Sequence, residues 1–300
     1  DPAPLSPHQL EASQLGEVLA GCDVKLAAWS DVHFERMLDD GTLGKCYRVQ
    51  LRNDDSPDGP RKLVLRRLGV DVLNVVSKLE WAERLAESQP LDTHPALLRT
   101  IGLASDSANN FGLLLESAPN SLDRILVRAE SSEEIATKLR LGWPQLAREI
   151  AGGLEALHAL DLAHLALHPG NVMLDSHTRV RLADYALPME LIVKRRERVE
   201  ALDPPAELLE EHQLYSSPEL LRAMVGLAEE GSDESLAPSD VWSLGCILYQ
   251  MTHGRTPFFH IRNMVQKMQA ITNPRVKIEF PTVANAHLND AIQACLQRKP

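Results

Sequence analysis

The segment that most constrains this chain is Val241-Trp242-Ser243-Leu244-Gly245-Cys246-Ile247-Leu248-Tyr249. Its apolar residues fall on every side of a helix, and a helix apolar around its whole circumference belongs inside a core. A second stripe, Leu146, Ile150, Leu154 and Leu157, has near-helical spacing and leads directly into His164. From about residue 120 onward, therefore, helices dominate. A chain of 300 residues with 44% hydrophobic composition can bury such a core, and it lies near the length at which single cores divide into lobes.

The first half has a different rhythm. Cys46-Tyr47-Arg48-Val49-Gln50-Leu51, Lys62-Leu63-Val64-Leu65-Arg66 and the stretch 111–115 read as short strands, with one helical segment over 72–87 between them. Residues 53–59, rich in Asp, Ser, Pro and Gly, read as the turn joining two strands. The expected class is α+β and bilobal: an extension over 1–28, a small β-rich lobe over about 29–116 and a larger helical lobe over about 117–300. In the extension, Ser6-Pro7 is a helix start, and Leu10, Leu15, Val18 and Leu19 make a loosely amphipathic face that either packs on the domain or binds elsewhere.

A formal net charge of -11 and a pI near 5.5 argue against nucleic acid as a partner, because neutralising phosphates requires a basic surface. The four cysteines, Cys22, Cys46, Cys246 and Cys295, are far apart and form no C-x-x-C pair, which predicts reduced thiols and an intracellular, cytoplasmic setting. Neither a membrane span nor a signal peptide is visible. The start at Asp1 and the stop at Pro300 suggest a domain cut from something longer.

Five motifs carry the chemistry: Asp39-Asp40-Gly41-Thr42-Leu43-Gly44, Leu63-Val64-Leu65-Arg66, the loop His164-Leu165-Ala166-Leu167-His168-Pro169-Gly170-Asn171, Ala183-Asp184-Tyr185-Ala186, and Ser217-Pro218-Glu219 followed by Ser239-Asp240-Val241-Trp242. In this order they resemble the protein kinase superfamily with degraded catalytic motifs: G-x-G-x-x-G, V-A-I-K, H-R-D-L-x-x-x-N, D-F-G and A-P-E. The later segments Gly254-Arg255-Thr256-Pro257-Phe258 and Ile271-Thr272-Asn273-Pro274 resemble the TTK (monopolar-spindle) kinase family. The catalytic loop, and an insertion over 221–237, resemble the pseudokinase domain of the TBC-domain kinase-like family, TBCK.

The resemblance implies a nucleotide pocket of Gly41, Gly44, Cys46, Val64, Arg66, Glu116 and Met173, with Asn171 and Asp184 as magnesium ligands through hard oxygens. Three catalytic positions are degenerate. Ala166 replaces the aspartate that accepts the substrate hydroxyl proton, and a methyl group accepts none. Arg66 replaces the strand lysine, with Arg67 as the alternative register, and its planar fork is a poor geometric substitute for an ammonium. His168 stands where serine/threonine kinases carry a lysine near the γ-phosphate. Val64 occupies an alanine position above the adenine. Asp39 and Asp40 either bring negative charge toward the phosphates or turn outward as a solvated hairpin tip. The helical glutamate that would pair with the strand cation is either Glu80 or Glu83.

Leu165 removes the arginine that anchors a phosphorylated activation loop, so activation by loop phosphorylation is not expected. Ala186 replaces a glycine and restricts the flip of its segment. The resemblance assigns His164, Tyr185, Glu219, Asp240 and Trp242 to structural roles, with Asp240 accepting from backbone amides of the catalytic loop. The basic cluster over 193–200 reads as a docking stripe or a solvated face, and 231–239 as an exposed insertion. The reading that follows is a pseudokinase and not an enzyme: a scaffold for a protein partner that requires no cofactor, with ATP and Mg2+ bound weakly or not at all. The alternatives are an atypical serine/threonine kinase retaining ATP and magnesium, and an ATP-gated switch.

Overall fold

The computed structural model describes residues 7–41, 43–52, 61–91, 93–106, 108–185, 211–224 and 236–298. The chain divides into two compact units, one made of residues 1–93 and 98–117 and the other of 94–97 and 118–300. The predicted α+β organisation holds: the first unit is built on a sheet and the second mainly on helices. Among the described residues no helix is long and apolar enough to cross a membrane.

The first unit contains α1 (Pro7–Val18), β1 (Lys25–Ala28), β2 (Val32–Gly41), β3 (Gly44–Leu51), β4 (Leu63–Leu68), α2 (Val70–Leu73), α3 (Lys78–Ser88), β5 (Thr100–Ser105) and β6 (Phe111–Glu116). The strands form one sheet in the order β1-β5-β6-β4-β3-β2. Side chains alternate between its faces. One face buries Val49, Leu63, Leu65 and Leu114 in a shared core with Val32 and Ile101, leaving Cys46, Val64 and Arg66 on the other. Two features depart from the expectation. Lys25–Ala28, read as extension, is an edge strand paired in parallel with β5. The helical segment expected over 72–87 is broken into α2 and α3, because Ser77 begins a new helix as its N-cap.

The open question about the extension is answered by α1, which packs on α3. Leu15 and Leu19 are buried, and Lys78, almost fully buried at the start of α3, meets Glu11 at 3.0 Å and Asn109 Oδ1 at 3.4 Å.

The second unit contains β7 (Asn120–Ser121), α4 (Leu122–Glu130), α5 (Glu133–His158), β8 (Val172–Leu174), β9 (Val180–Leu182), α6 (Pro218–Met224), α7 (Ala237–His253), α8 (Met264–Thr272) and α9 (Ala286–Cys295). The run that opened the sequence reading is α7. It packs against α5 and α9, with Trp242, Cys246, Ile247, Leu248 and Tyr249 all buried. Gly245 lets α9 approach, since a Cβ there would lie 2.7 Å from that of Cys295. Two segments read as insertion or exposed surface reach into helices. Residues 221–224 belong to α6 and 237–239 to the first turn of α7, where Ser239 is buried.

Candidate functional site

The site residues of the first unit gather on the sheet face opposite its core. Cys46 on β3 lies across from Arg66 on β4, and Val64 lies across from Leu115 on β6. Of the two arginines of β4 it is thus Arg66 that lies on this face, and its Nε donates to Cys46 Sγ at 3.4 Å. Arg67 points the other way, donating to Asn110 Oδ1 at 2.7 Å with its guanidinium over the Trp29 ring. Glu116 pairs with Leu63 at the end of β6, so by register its side chain falls on the core face and only its backbone is available to this site.

Gly41 and Gly44 face each other where β2 turns into β3. Gly44 has φ +138°, and a Cβ there would lie 1.9 Å from the Arg67 carbonyl oxygen, so no other residue fits without a shift of the backbone. Asp39 is exposed beside this hairpin. The two glutamates offered for α3 separate clearly. Glu80 is committed to a capping box: its carboxylate accepts from the Ser77 amide at 2.7 Å, while the Glu80 amide donates to Ser77 Oγ at 3.2 Å. Those hydrogen bonds hold its carboxyl below the ordinary range. Glu83 is exposed.

In the second unit the catalytic-loop frame is assembled around Asp240, which is fully buried in the first turn of α7. Its Oδ2 accepts from the His164 amide at 2.7 Å and its Oδ1 from the Leu165 amide at 2.8 Å, the role that the resemblance implied. Sequence reading missed the third contact: His158 Nε2, at the end of α5, sits 2.8 Å from Asp240 Oδ2. No local signal announces it, because the two residues are 82 positions apart. The His164 side chain is fully buried, and burial lowers its pKa below the ordinary 6.5, with the charge of Asp240 acting against that trend. Leu165 adopts φ +58°, a left-handed conformation unusual for a leucine, and these two amide bonds fix it.

Beyond this turn, Asn171 Nδ2 donates to the Ala166 carbonyl oxygen at 2.8 Å. The backbone of the position lacking a base is therefore tied down. The amide of Ala183 donates to the Asn171 carbonyl at 2.9 Å, which ties the start of the Asp184 segment to the loop, and Asp184 adopts φ +60°. Asn171 and Asp184 offer an amide oxygen and a carboxylate, the hard-oxygen chemistry that magnesium takes. Met173, half-buried on β8, pairs with Ser121 and Arg181. His168 caps the short turn 169–171, its Nδ1 accepting from the Gly170 amide at 3.2 Å.

The structural residues form a second network unseen in the sequence. Ser217 Oγ donates to Ser239 Oγ at 2.8 Å, Ser239 donates to Glu219 Oε1 at 3.1 Å, and Ser243 donates to the Tyr215 carbonyl at 2.8 Å. Trp242 is buried, and Tyr185 is half-buried. Ala186, the basic cluster over 193–200, the turn over 53–59 and residues 231–235 lie outside the described residues.

A sheet unit carrying a glycine hairpin and a strand cation, and a helical unit whose buried aspartate holds a loop ending in asparagine, define a protein kinase domain. Residues 33–300 match the family described as Protein kinase domain, and the chain belongs to that family. It is 36% identical over 157 residues to the mouse dual specificity protein kinase TTK, covering 49% of this chain and 17% of that protein. It is 24% identical over 252 residues to the Schizosaccharomyces pombe serine/threonine-protein kinase mph1, covering 81% and 35%. With the rat serine/threonine-protein kinase MRCK alpha it shares 23% identity over 257 residues, covering 84% and 13%. The chain thus spans about a third or less of the length of these relatives.

These findings correct one expectation. The missing base at Ala166 predicted that the chain is not an enzyme, but it belongs to a family of phosphotransferases, and its relatives are named as dual specificity and serine/threonine kinases. The expectation rested on Ala166 together with the substitutions at Arg66 and His168, with the missing base as its discriminating feature. Phosphoryl transfer runs through a loose transition state that is stabilised mainly by positioning and electrostatics, so the loss of one base is not by itself grounds for excluding the reaction.

Proposed function

We propose that this chain is an atypical protein kinase domain whose larger unit doubles as a binding platform for a protein partner, and that it takes ATP with magnesium weakly. The observation that carries the reading is the catalytic loop. Asp240 holds its entry through two amides and Asn171 holds its middle through the Ala166 carbonyl, so the frame is kept in full around a methyl group. A frame so tightly held offers a rigid surface for docking whatever the turnover of the site.

Asn171 and Asp184 would hold magnesium, which when bound neutralises phosphate oxygens. Arg66 would supply a cation toward the phosphates from a direction set by its bond to Cys46. Weak binding follows from the bulk of Val64 at the adenine position and from the exposed carboxylate of Asp39 beside the hairpin. The resemblance to TTK-type kinases makes serine, threonine or tyrosine hydroxyls the substrate class.

A thermal-shift titration tests the nucleotide half. With a dissociation constant near 1 mM, ~5 mM ATP and excess magnesium should stabilise the fold by about 1 kcal/mol, and Asp184→Ala should abolish the shift. A low-micromolar constant would refute weak binding. Capture of a partner from cells tests the platform: Asp184→Ala should retain the partner, and its loss from a folded variant would favour the ATP-gated switch.

A further inference from the structure

Arg36 and Arg48 stand directly opposite each other across β2 and β3. Arg48 in turn faces Val64 on β4, so both arginines lie on the face that carries Cys46 and Arg66. Like charges directly opposite in antiparallel strands repel, with Cβ atoms about 5 Å apart. Arg36 is exposed and Arg48 half-buried. The Nε of Arg48 is buried without a hydrogen-bond partner, and no carboxylate among the described residues forms an ion pair with either arginine. Other arginines of the same unit are engaged: Arg66 with Cys46, Arg67 with Asn110 and Arg99 with Asp23. A desolvated donor without an acceptor adds to the cost of holding two like charges side by side.

We propose that Arg36 and Arg48 form a seat for a phosphate group, either the free ion or a phosphate monoester. Two guanidiniums present two positive charges and two forks of N–H donors. A phosphate monoester carries about -1.5 to -2 charges at neutral pH with three acceptor oxygens, enough to neutralise both arginines and to bond both forks. A carboxylate would leave one positive charge uncompensated. The seat is distinct from the glycine hairpin, where the family cradles nucleotide phosphates. Arg48 lies four residues along β3 from Gly44, about 13 Å at the rise of a strand.

The test compares melting temperatures in phosphate, phosphoserine, acetate and chloride at matched ionic strength for the wild type, Arg36→Gln, Arg48→Gln and, as a control, Arg124→Gln, an exposed arginine of the second unit. Phosphate should raise the wild-type midpoint over chloride by a few degrees. The gain should vanish in Arg36→Gln and Arg48→Gln and persist in Arg124→Gln. In chloride, Arg48→Gln should melt no lower than the wild type, because it removes both the repulsion and the unpartnered donor. A phosphoserine response equal to that of phosphate assigns the seat to monoesters, and a response to phosphate alone assigns it to the free ion. Acetate acting as strongly as phosphate, or a phosphate gain that survives in both Arg36→Gln and Arg48→Gln, overturns the proposal.

Discussion

Replacing Asp240 with alanine should destabilise the second unit by about 2–4 kcal/mol. The aspartate is fully buried and accepts from two backbone amides, at 2.7 and 2.8 Å, and from His158 at 2.8 Å. A hydrogen bond to a charged group contributes about 1.5–3 kcal/mol, and an amide left buried without an acceptor costs about 1–3 kcal/mol. Two amides would give the upper end of that sum. Two effects reduce it: Leu165 is half-buried, so its amide can reach water, and the variant no longer has to desolvate a carboxylate. Asp240→Asn keeps one acceptor oxygen and should lose roughly half as much. Urea unfolding followed by tryptophan fluorescence, to which Trp242 two residues on in the same helix contributes, reports the change as a shift in midpoint at unchanged slope. Amide exchange at His164 and Leu165 should rise in parallel. A loss below about 1 kcal/mol for the alanine variant would refute the reasoning, since it would mean that the two amides find other acceptors at little cost.

Ala166→Asp should raise phosphotransfer to a generic protein substrate, measured with labelled ATP, by no more than about 100-fold, the low end of what a general base contributes, because Arg66 and His168 stay unchanged; no increase would show that the loop does not aim this side chain at the substrate. Stability should be at its full value above pH 6.5 and fall as the pH drops toward the depressed pKa of buried His164, because the unfolded chain takes up the proton first. The slope contributed by this residue is at most about 1.4 kcal/mol per pH unit. His164→Phe should flatten the urea midpoint profile between pH 7.5 and 5.5, leaving the contribution of His253, whose pKa burial also lowers; an unchanged profile would contradict the assignment. Gly44→Ala should cost about 1–3 kcal/mol through strain at a positive φ and the clash with the Arg67 carbonyl, and a near-neutral midpoint would show that the hairpin relaxes freely.

What the sequence disclosed and what it hid divide along a physical line. The apolar circumference of α7 and the stripe of α5 are periodic, and periodicity is local, so both were visible before any coordinates. The amides on Asp240 were legible only through a resemblance. The bond from His158 to the same carboxylate, the serine network around Ser239 and the contact of Lys78 with Glu11 join residues 20 to 82 positions apart, and no short-range pattern encodes them. Lys25–Ala28 escaped notice for a related reason: a four-residue edge strand gains its identity from the parallel partner it finds. Ser77 was the exception. With Glu80 three positions on, it spells a capping box in the sequence, yet apolar spacing across 72–87 masked the break between α2 and α3.

The capping box has a consequence for signalling within the first unit. In kinases an ion pair between the strand cation and a helical carboxylate reports to each element where the other stands. Here Glu80 starts α3 and Glu83 is exposed, so neither is placed to carry that message from Arg66. Among the described residues α3 makes a charge contact with α1, through Lys78 and Glu11. A molecule that grips or displaces α1 would pull directly on the first turn of α3 through Lys78 and Glu11. The segment that precedes the sheet is thus a route of input to α3 that runs through one buried lysine.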